Sequence, residues 1–217
     1  LNYLITKSLS GFEWAGGLPG TLGGAIRGNA GAFGGETKDS IIEVISLDIS
    51  SAEPKVIKRN NAECQFGYRN SIFKINDGRE IIIEATLELR PGAEHAIRSA
   101  IEEKIAYRNE RHPMNYPNIG SIFKNTPVEK VPEPVLKQFG AKVKNDPFPV
   151  LPTAVLIAET GIKGTRAGGA MVSDKHPNFI VNTGNATAED VKKLIALVKT
   201  SVKEKFGVEL EEEIIYL

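Results

Sequence analysis

The chain has 217 residues, 41% hydrophobic and 25% charged, enough for one large domain or two modest ones with a substantial core. Its 27 Lys and Arg balance 27 Asp and Glu, and no basic stripe is interleaved with aromatics, which argues against nucleic acid as a partner. No apolar run approaches bilayer length and no charged-then-apolar leader opens the chain, so the composition predicts a soluble, cytoplasmic protein without a membrane partner; the single Cys64 leaves no intrachain disulfide.

In chain order, Leu1, Leu4, Ile5 and Leu9 have helical spacing and predict a helix over 1–10. The absence of a cap residue and of an initiator methionine predicts an upstream part. Next comes GGLPGTLGGAIRGNAGAFGGE, residues 16–36, with close to half its positions glycine. Glycine at this density costs ordering entropy and supplies no packing, so it predicts backbone lying against a flat or anionic ligand. Neither G-x-x-x-x-G-K-[ST] nor G-x-G-x-x-G is present, which removes the NTPase phosphate loop and the Rossmann fingerprint. Pro19 is expected at the first turn of a short helix through Thr21 and Ala25, leaving amides near Gly20 to Leu22 open to an anion or a carbonyl oxygen. The alternative is a glycine-rich turn that lets two layers pack closely.

Residues 41–49 and 81–89 read as strands, 55–58 as a shorter one and 51–54 as a turn, so the first part is sheet-rich. After Pro91, residues 94–108 have helical periodicity through Ile97, Ile101 and Ile105, with a domain boundary near residues 105 and 106. Loops are expected over 109–119 and 120–125, and a surface excursion over 128–152 with one short helix near Val135 to Phe139. A helix over 153–160 ends at Gly161, and Phe179 to Asn182 is a buried strand. Thr187 and Asp190 form a capping box ahead of Val191, Leu194, Ile195, Val198 and Val202, and 208–217 reads as a last strand. The partial alternation of helices and strands indicates an α+β fold.

His95, His112 and His176 lack neighbours at metal-ligand spacing, so no metal site is expected. Cys64 has no activating neighbour and reads as a buried structural thiol, and no nucleophile elbow G-x-S-x-G occurs. What remains is polar groups in apolar, glycine-flanked segments. Arg69, between Tyr68 and Asn70, suits bidentate binding of a carboxylate or phosphate. Ser121, between Gly120 and Ile122, can donate a proton or hydrogen bond, and Glu213 precedes Ile214 and Ile215.

Taken together, GLPGTLGGAIRGNAGAFGGE, CQFGYRNSIFK, GSIFKN, GIKGTRAGGAMVSDKHPNFIVN and LEEEIIYL resemble, in order, blocks of the UDP-N-acetylenolpyruvoylglucosamine reductase (UDP-N-acetylmuramate dehydrogenase, MurB) family. The resemblance implies the second half of a PCMH-type (VAO-like) FAD-binding domain over 1–105, then a smaller α+β substrate-binding domain over 106–217. It implies a cytoplasmic monomer with FAD and NADPH as cofactors, reducing UDP-N-acetylglucosamine enolpyruvate in peptidoglycan synthesis. By position, it gives Ser121 the protonation of the α-carbon, and Arg69 and Glu213 the stabilisation of the intermediate. Gly20, Thr21, Gly23, Gly24, Asn29, Ala30 and Gly31 would contact the flavin, and Asn125 and Arg111 the substrate. The family's upstream glycine-serine-asparagine loop, which holds the FAD diphosphate, is not in this sequence. Arg27-Gly28 stands where the family has larger apolar residues. The family's tyrosine loop over the substrate is not evident, which points to the branch without it. The alternatives are a UDP-sugar-binding module without activity and another PCMH-type flavin oxidoreductase, such as a sugar or alcohol oxidase.

Overall fold

The computed structural model describes residues 1–216, which form two compact units, Leu1–Tyr107 and Arg108–Leu217. The fold is α+β, with helices and mainly antiparallel sheets in both units. Among the described residues no helix is long and apolar enough to cross a membrane.

The first unit runs α1 (Asn2–Thr6), β1 (Leu9–Ser10), α2 (Leu22–Gly28), β2 (Gly31–Ala32), β3 (Gly35–Glu36), β4 (Ile41–Asp48), β5 (Lys55–Asn60), α3 (Ile72–Ile75), β6 (Glu80–Leu87), β7 (Arg90–Pro91) and α4 (Glu94–Arg111), the last crossing the unit boundary. β4 lies between β5 and β6, antiparallel to both. One face of this sheet and α2 enclose a small core of Ile26, Ile41, Val44, Cys64 and Phe73. The helix expected over 1–10 stops at Thr6, because Ser8 takes a left-handed φ of 53° and turns Leu9–Ser10 into pairing with Arg90–Pro91. Pro91 thus pairs with Leu9. Pro19 precedes the glycine-rich helix instead of opening it. Thr21 is the N-cap, its hydroxyl accepting the Gly24 amide at 3.1 Å.

The second unit continues with β8 (Asn118–Ser121), β9 (Thr126–Pro127), α5 (Glu133–Phe139), β10 (Lys144–Asn145), β11 (Pro149–Leu151), α6 (Thr153–Glu159), β12 (Arg166–Ala167), β13 (Ala170–Val172), β14 (Phe179–Asn182) and α7 (Ala188–Phe206). A four-stranded sheet in the order β12-β13-β14-β8 and a three-stranded one in the order β10-β11-β9 share a large core with α5, α6 and α7. α7 follows its sequence signals: the Thr187–Asp190 capping box closes with bonds of 3.0 and 3.2 Å, and Gly207 caps the far end at φ 65°.

Three expectations for this unit are corrected. Residues 120 and 121 lie in β8, where Ser121 pairs with Phe179, and are not in a loop. Residues 128–152 are not a surface excursion: Val131, Val135, Phe139, Val150 and Leu151 are buried, and β10 and β11 pair within the segment. Its prolines interrupt periodicity without preventing burial, so the pattern misled. The last strand expected over 208–217 is absent among the described residues; only an isolated Phe123–Glu212 bridge forms, since the ladder bonds of 211–213 run to 122–124 alone.

Leu156, fully buried where α6 meets α7, tests where the core of this unit lies. Leu156→Ala should lower unfolding free energy by about 3 kcal/mol, within the range for buried leucine truncation, measured by urea denaturation; a loss under about 1 kcal/mol would place the core elsewhere.

Candidate functional site

In the first unit the glycine-rich stretch borders an apolar cavity of about 630 Å³. Phe12, Trp14, Leu18, Leu22, Leu87 and Leu89 supply apolar wall, and Gly20, Thr21, Gly24 and Ala30 contribute main chain and small side chains. Gly23, Asn29 and Gly31, also expected at a ligand, do not line it. The glycines divide by what a side chain would meet. A Cβ on Gly16 would lie 2.6 Å from the Ile101 carbonyl oxygen, and one on Gly35 would collide with the Trp14 indole. These glycines serve close packing. Among the described residues, at Gly20 (φ 119°) nothing beyond the adjoining residues lies within 4 Å of the Cβ position, and at Gly24 nothing beyond the local backbone does except the Thr21 hydroxyl, at 3.4 Å. There the missing side chain leaves space over the main chain.

Asn29 closes α2 in a left-handed conformation (φ 42°) and is fully buried. Its amide Nδ2 donates to Glu36 Oε1 at 3.2 Å and to the Gly67 carbonyl at 2.9 Å, while Oδ1 accepts the Lys38 amide at 3.0 Å. Glu36, a residue the sequence did not single out, is buried and paired with Lys38 at 2.6 Å. Its only sequence signal was a carboxylate closing a glycine-rich stretch. Beyond Gly67, reciprocal main-chain bonds between Gly67 and Asn70 pinch Tyr68 and Arg69 into a tight turn, with Arg69 at φ 53°. The Arg69 guanidinium donates to the Gly31 carbonyl at 2.7 Å and lies 5.0 Å from the Tyr68 ring centroid. The Asn29 amide therefore ties the glycine-rich turn to the arginine turn. Burial pushes the Cys64 thiol up to about 11, so it stays protonated and inert.

In the second unit Ser121 ends β8, half-buried, and its hydroxyl has no protein hydrogen-bond partner among the described residues. Glu213 runs beside it, its amide donating to the Ile122 carbonyl at 2.8 Å. The Asn125 side-chain carbonyl accepts the Thr153 amide at 3.3 Å, and Thr153 Oγ1 donates to the Lys124 carbonyl at 2.6 Å, fastening the segment to the start of α6. Thus Ser121, Asn125 and Glu213 share one segment and its neighbour, while Arg111 is exposed in the last turn of α4.

His112 and His176 meet edge to face with centroids 5.2 Å apart, each against Phe179, the register partner of Ser121, at 5.0 and 4.8 Å. Burial holds both rings below the ordinary histidine range, reinforced for His112 by Arg108 and Lys175, and for His176 by His112, Lys144 and Lys163. His176 falls to about 4, and its Nδ1 is buried without a hydrogen-bond partner among the described residues. No group of three or more His, Cys, Asp or Glu among those residues is placed to hold a metal.

Two measurements check these networks. Asn29→Asp sets a second carboxylate against buried Glu36 and removes the donor to Gly67. Stability should fall by about 3 kcal/mol at neutral pH and partly recover as pH drops and one carboxyl takes a proton; an unchanged urea midpoint at pH 7 would show that the network carries no load. For His176, the unfolded ring takes a proton near 6.5 and the folded ring only near 4. Stability is therefore full above 6.5 and declines as pH falls through this window, by about 3 kcal/mol in all at about 1.4 kcal/mol per unit. His176→Gln should flatten that slope relative to wild type, and parallel pH profiles would refute the assignment.

Residues 112–217 match the family profile described as UDP-N-acetylenolpyruvoylglucosamine reductase, C-terminal domain. The proteins named UDP-N-acetylenolpyruvoylglucosamine reductase from Fervidobacterium nodosum and Lachnoclostridium phytofermentans are 40% and 42% identical to this chain over 210 and 211 residues. Those alignments cover 97% of this chain and 60% and 59% of the relatives. The crystal structure of UDP-N-acetylenolpyruvylglucosamine reductase (MurB) from Thermus caldophilus shares the fold with a TM-score of 0.72 at 29% identity, covering 97% of this chain and 66% of that one. The chain spans about three fifths of the length of the curated relatives it matches. Along almost its whole length this chain is similar in sequence and in fold to UDP-N-acetylenolpyruvoylglucosamine reductases, and its residues 112–217 match the C-terminal domain of that family.

Proposed function

We propose that this chain serves the FAD-dependent, NADPH-using reduction of UDP-N-acetylglucosamine enolpyruvate to UDP-N-acetylmuramate in peptidoglycan synthesis, as a cytoplasmic monomer. The observation that carries the reading is the Ser121 hydroxyl, unpartnered at the end of a strand whose following main chain is bonded at every step, in a chain 40% identical to reductases so named.

The first unit fits a flat ring system. Its cavity has an apolar wall with Trp14, and at Gly20 and Gly24 the main chain is left uncovered. In this reading Gly20, Thr21, Gly24 and Ala30 hold the cofactor from the cavity side, and Gly31, where a Cβ would lie 2.9 Å from the Gly35 carbonyl oxygen, keeps the backbone close. Asn29 contributes by fixing the turn, its amide being engaged within the protein. When bound, FAD reduced by NADPH supplies the hydride for the enolpyruvyl β-carbon.

The chain's own residues handle the charge and the proton. As the β-carbon gains hydride, negative charge moves onto the carboxylate, and the Arg69 guanidinium stabilises the enediolate-like species by paired, charge-assisted hydrogen bonds. Ser121 gives its hydroxyl proton to the α-carbon. A serine is a weak acid, but a carbanionic centre is basic enough to take the proton when it is well aimed. Glu213 shares in stabilising the intermediate, and Asn125 and Arg111 bind the UDP-sugar.

Ser121→Ala in the full-length flavoprotein should leave flavin reduction by NADPH within about twofold of wild type. It should slow reoxidation by the enolpyruvyl substrate by about 10²- to 10⁴-fold, the size of a lost general acid. Stopped-flow flavin absorbance separates the two steps, and equal slowing of both would remove Ser121 from the proposed role.

A further inference from the structure

We infer that Asn178 is the positioning residue that sets the aim of the Ser121 hydroxyl; this rests on the reductase reading above. The regular β8–β14 ladder reaches Ser121 opposite Phe179, and its register is already irregular between Phe179 and Val181. Asn178 takes over where the ladder stops. Its main-chain carbonyl accepts the Ile122 amide at 2.8 Å. Its side-chain Oδ1 accepts the Phe123 amide at 3.0 Å, and Nδ2 donates to the Phe123 carbonyl at 2.8 Å. With 3% exposure, the amide offers Phe123 one acceptor and one donor, as an extended strand residue would.

The far side of the segment is held as well. The Ile122 carbonyl accepts from Glu213, the Lys124 amide donates to Glu211, and the Lys124 carbonyl accepts from Thr153. Every main-chain polar group from Ile122 to Lys124 is thus engaged, and Asn178 makes three of those bonds. A serine hydroxyl has one rotatable bond to its backbone, so fixing the backbone fixes the small set of positions Oγ can reach. An apolar residue at 178 would fill the core but leave both polar groups of Phe123 buried and unpaired, and the segment would shift to find partners. A shift of about 1 Å at a reacting group can cost on the order of 10²-fold in rate.

The test uses the flavin-loaded full-length enzyme with its two half-reactions separated by stopped flow. Asn178→Asp keeps shape and the acceptor toward the Phe123 amide but loses the donor; Asn178→Ser shortens both reaches. Each should slow reoxidation at saturating enolpyruvyl substrate by about 10- to 100-fold, with flavin reduction by NADPH and substrate affinity changed less than about threefold. Combined with Ser121→Ala, neither should slow reoxidation further, because a residue that acts only by aiming Ser121 has nothing left to aim. Additive losses, equal slowing of both half-reactions, or loss of the fold in both variants would make Asn178 merely structural and overturn the inference. A wild-type enzyme whose flavin NADPH reduces but the enolpyruvyl sugar does not reoxidise would overturn the reductase reading, and this inference with it.

Discussion

A buried main-chain polar group must find a partner, and where a helix or ladder ends the partner has to come from a side chain. In this chain the two bends that matter are both closed by buried asparagine amides. Asn29 satisfies Gly67 and Lys38 where α2 gives way to the β2–β3 hairpin, and Asn178 satisfies Phe123 where β8 leaves β14. An amide suits this task because it carries donor and acceptor in one rigid plane and no charge to desolvate. In both places a candidate functional group lies within a few residues of the bond: Arg69 two residues past Gly67, Ser121 two residues before Phe123.

The glycines express a second constraint, the choice between filling space and leaving it. At Gly16 and Gly35 the protein itself occupies the volume a side chain would need, so glycine is a packing requirement. At Gly20 and Gly24 the protein leaves that volume almost empty, beside an apolar cavity. Composition alone cannot separate these cases, which is why both the packing reading and the ligand reading of residues 16–36 were open from the sequence. The packing reading holds at Gly16 and Gly35, and at Gly20 and Gly24 the open volume leaves room for a ligand.

What was legible in the sequence follows the same physics. α7 could be read to within a residue because its information is local: a capping box, a 3.6-residue apolar stripe and a left-handed glycine. β4 and β6 were legible from β-branched content. Residues 128–152 were misread because their burial is set by packing of Val131, Val135, Phe139 and Leu151 with partners far along the chain, while the local signal was proline and lysine. The segment 208–216 failed for the converse reason: its alternating composition suits a strand, but its neighbour, residues 122–124, offers only a short ladder. Of the candidate site, Ser121, Arg69 and Glu213 came from the order of sequence blocks. Glu36 and Thr153 went unnoticed because an isolated polar residue does not reveal which carbonyl or amide it will meet.

The choice of serine as proposed acid explains why so much structure is spent on holding main chain still. A histidine or a carboxylic acid can be tuned by its surroundings; the histidine pair beside Phe179 shows how far burial and neighbouring cations move a ring on this scaffold. A serine hydroxyl is too weak an acid for such tuning to bring it near neutral pH. Its contribution must come from alignment with the carbon that receives the proton, and alignment depends on the stiffness of the backbone carrying it. On that argument the run of engaged groups from Ile122 to Lys124 does for Ser121 what an electrostatic neighbour does for a titrating acid. The energy goes into holding geometry where it would otherwise go into shifting a proton equilibrium.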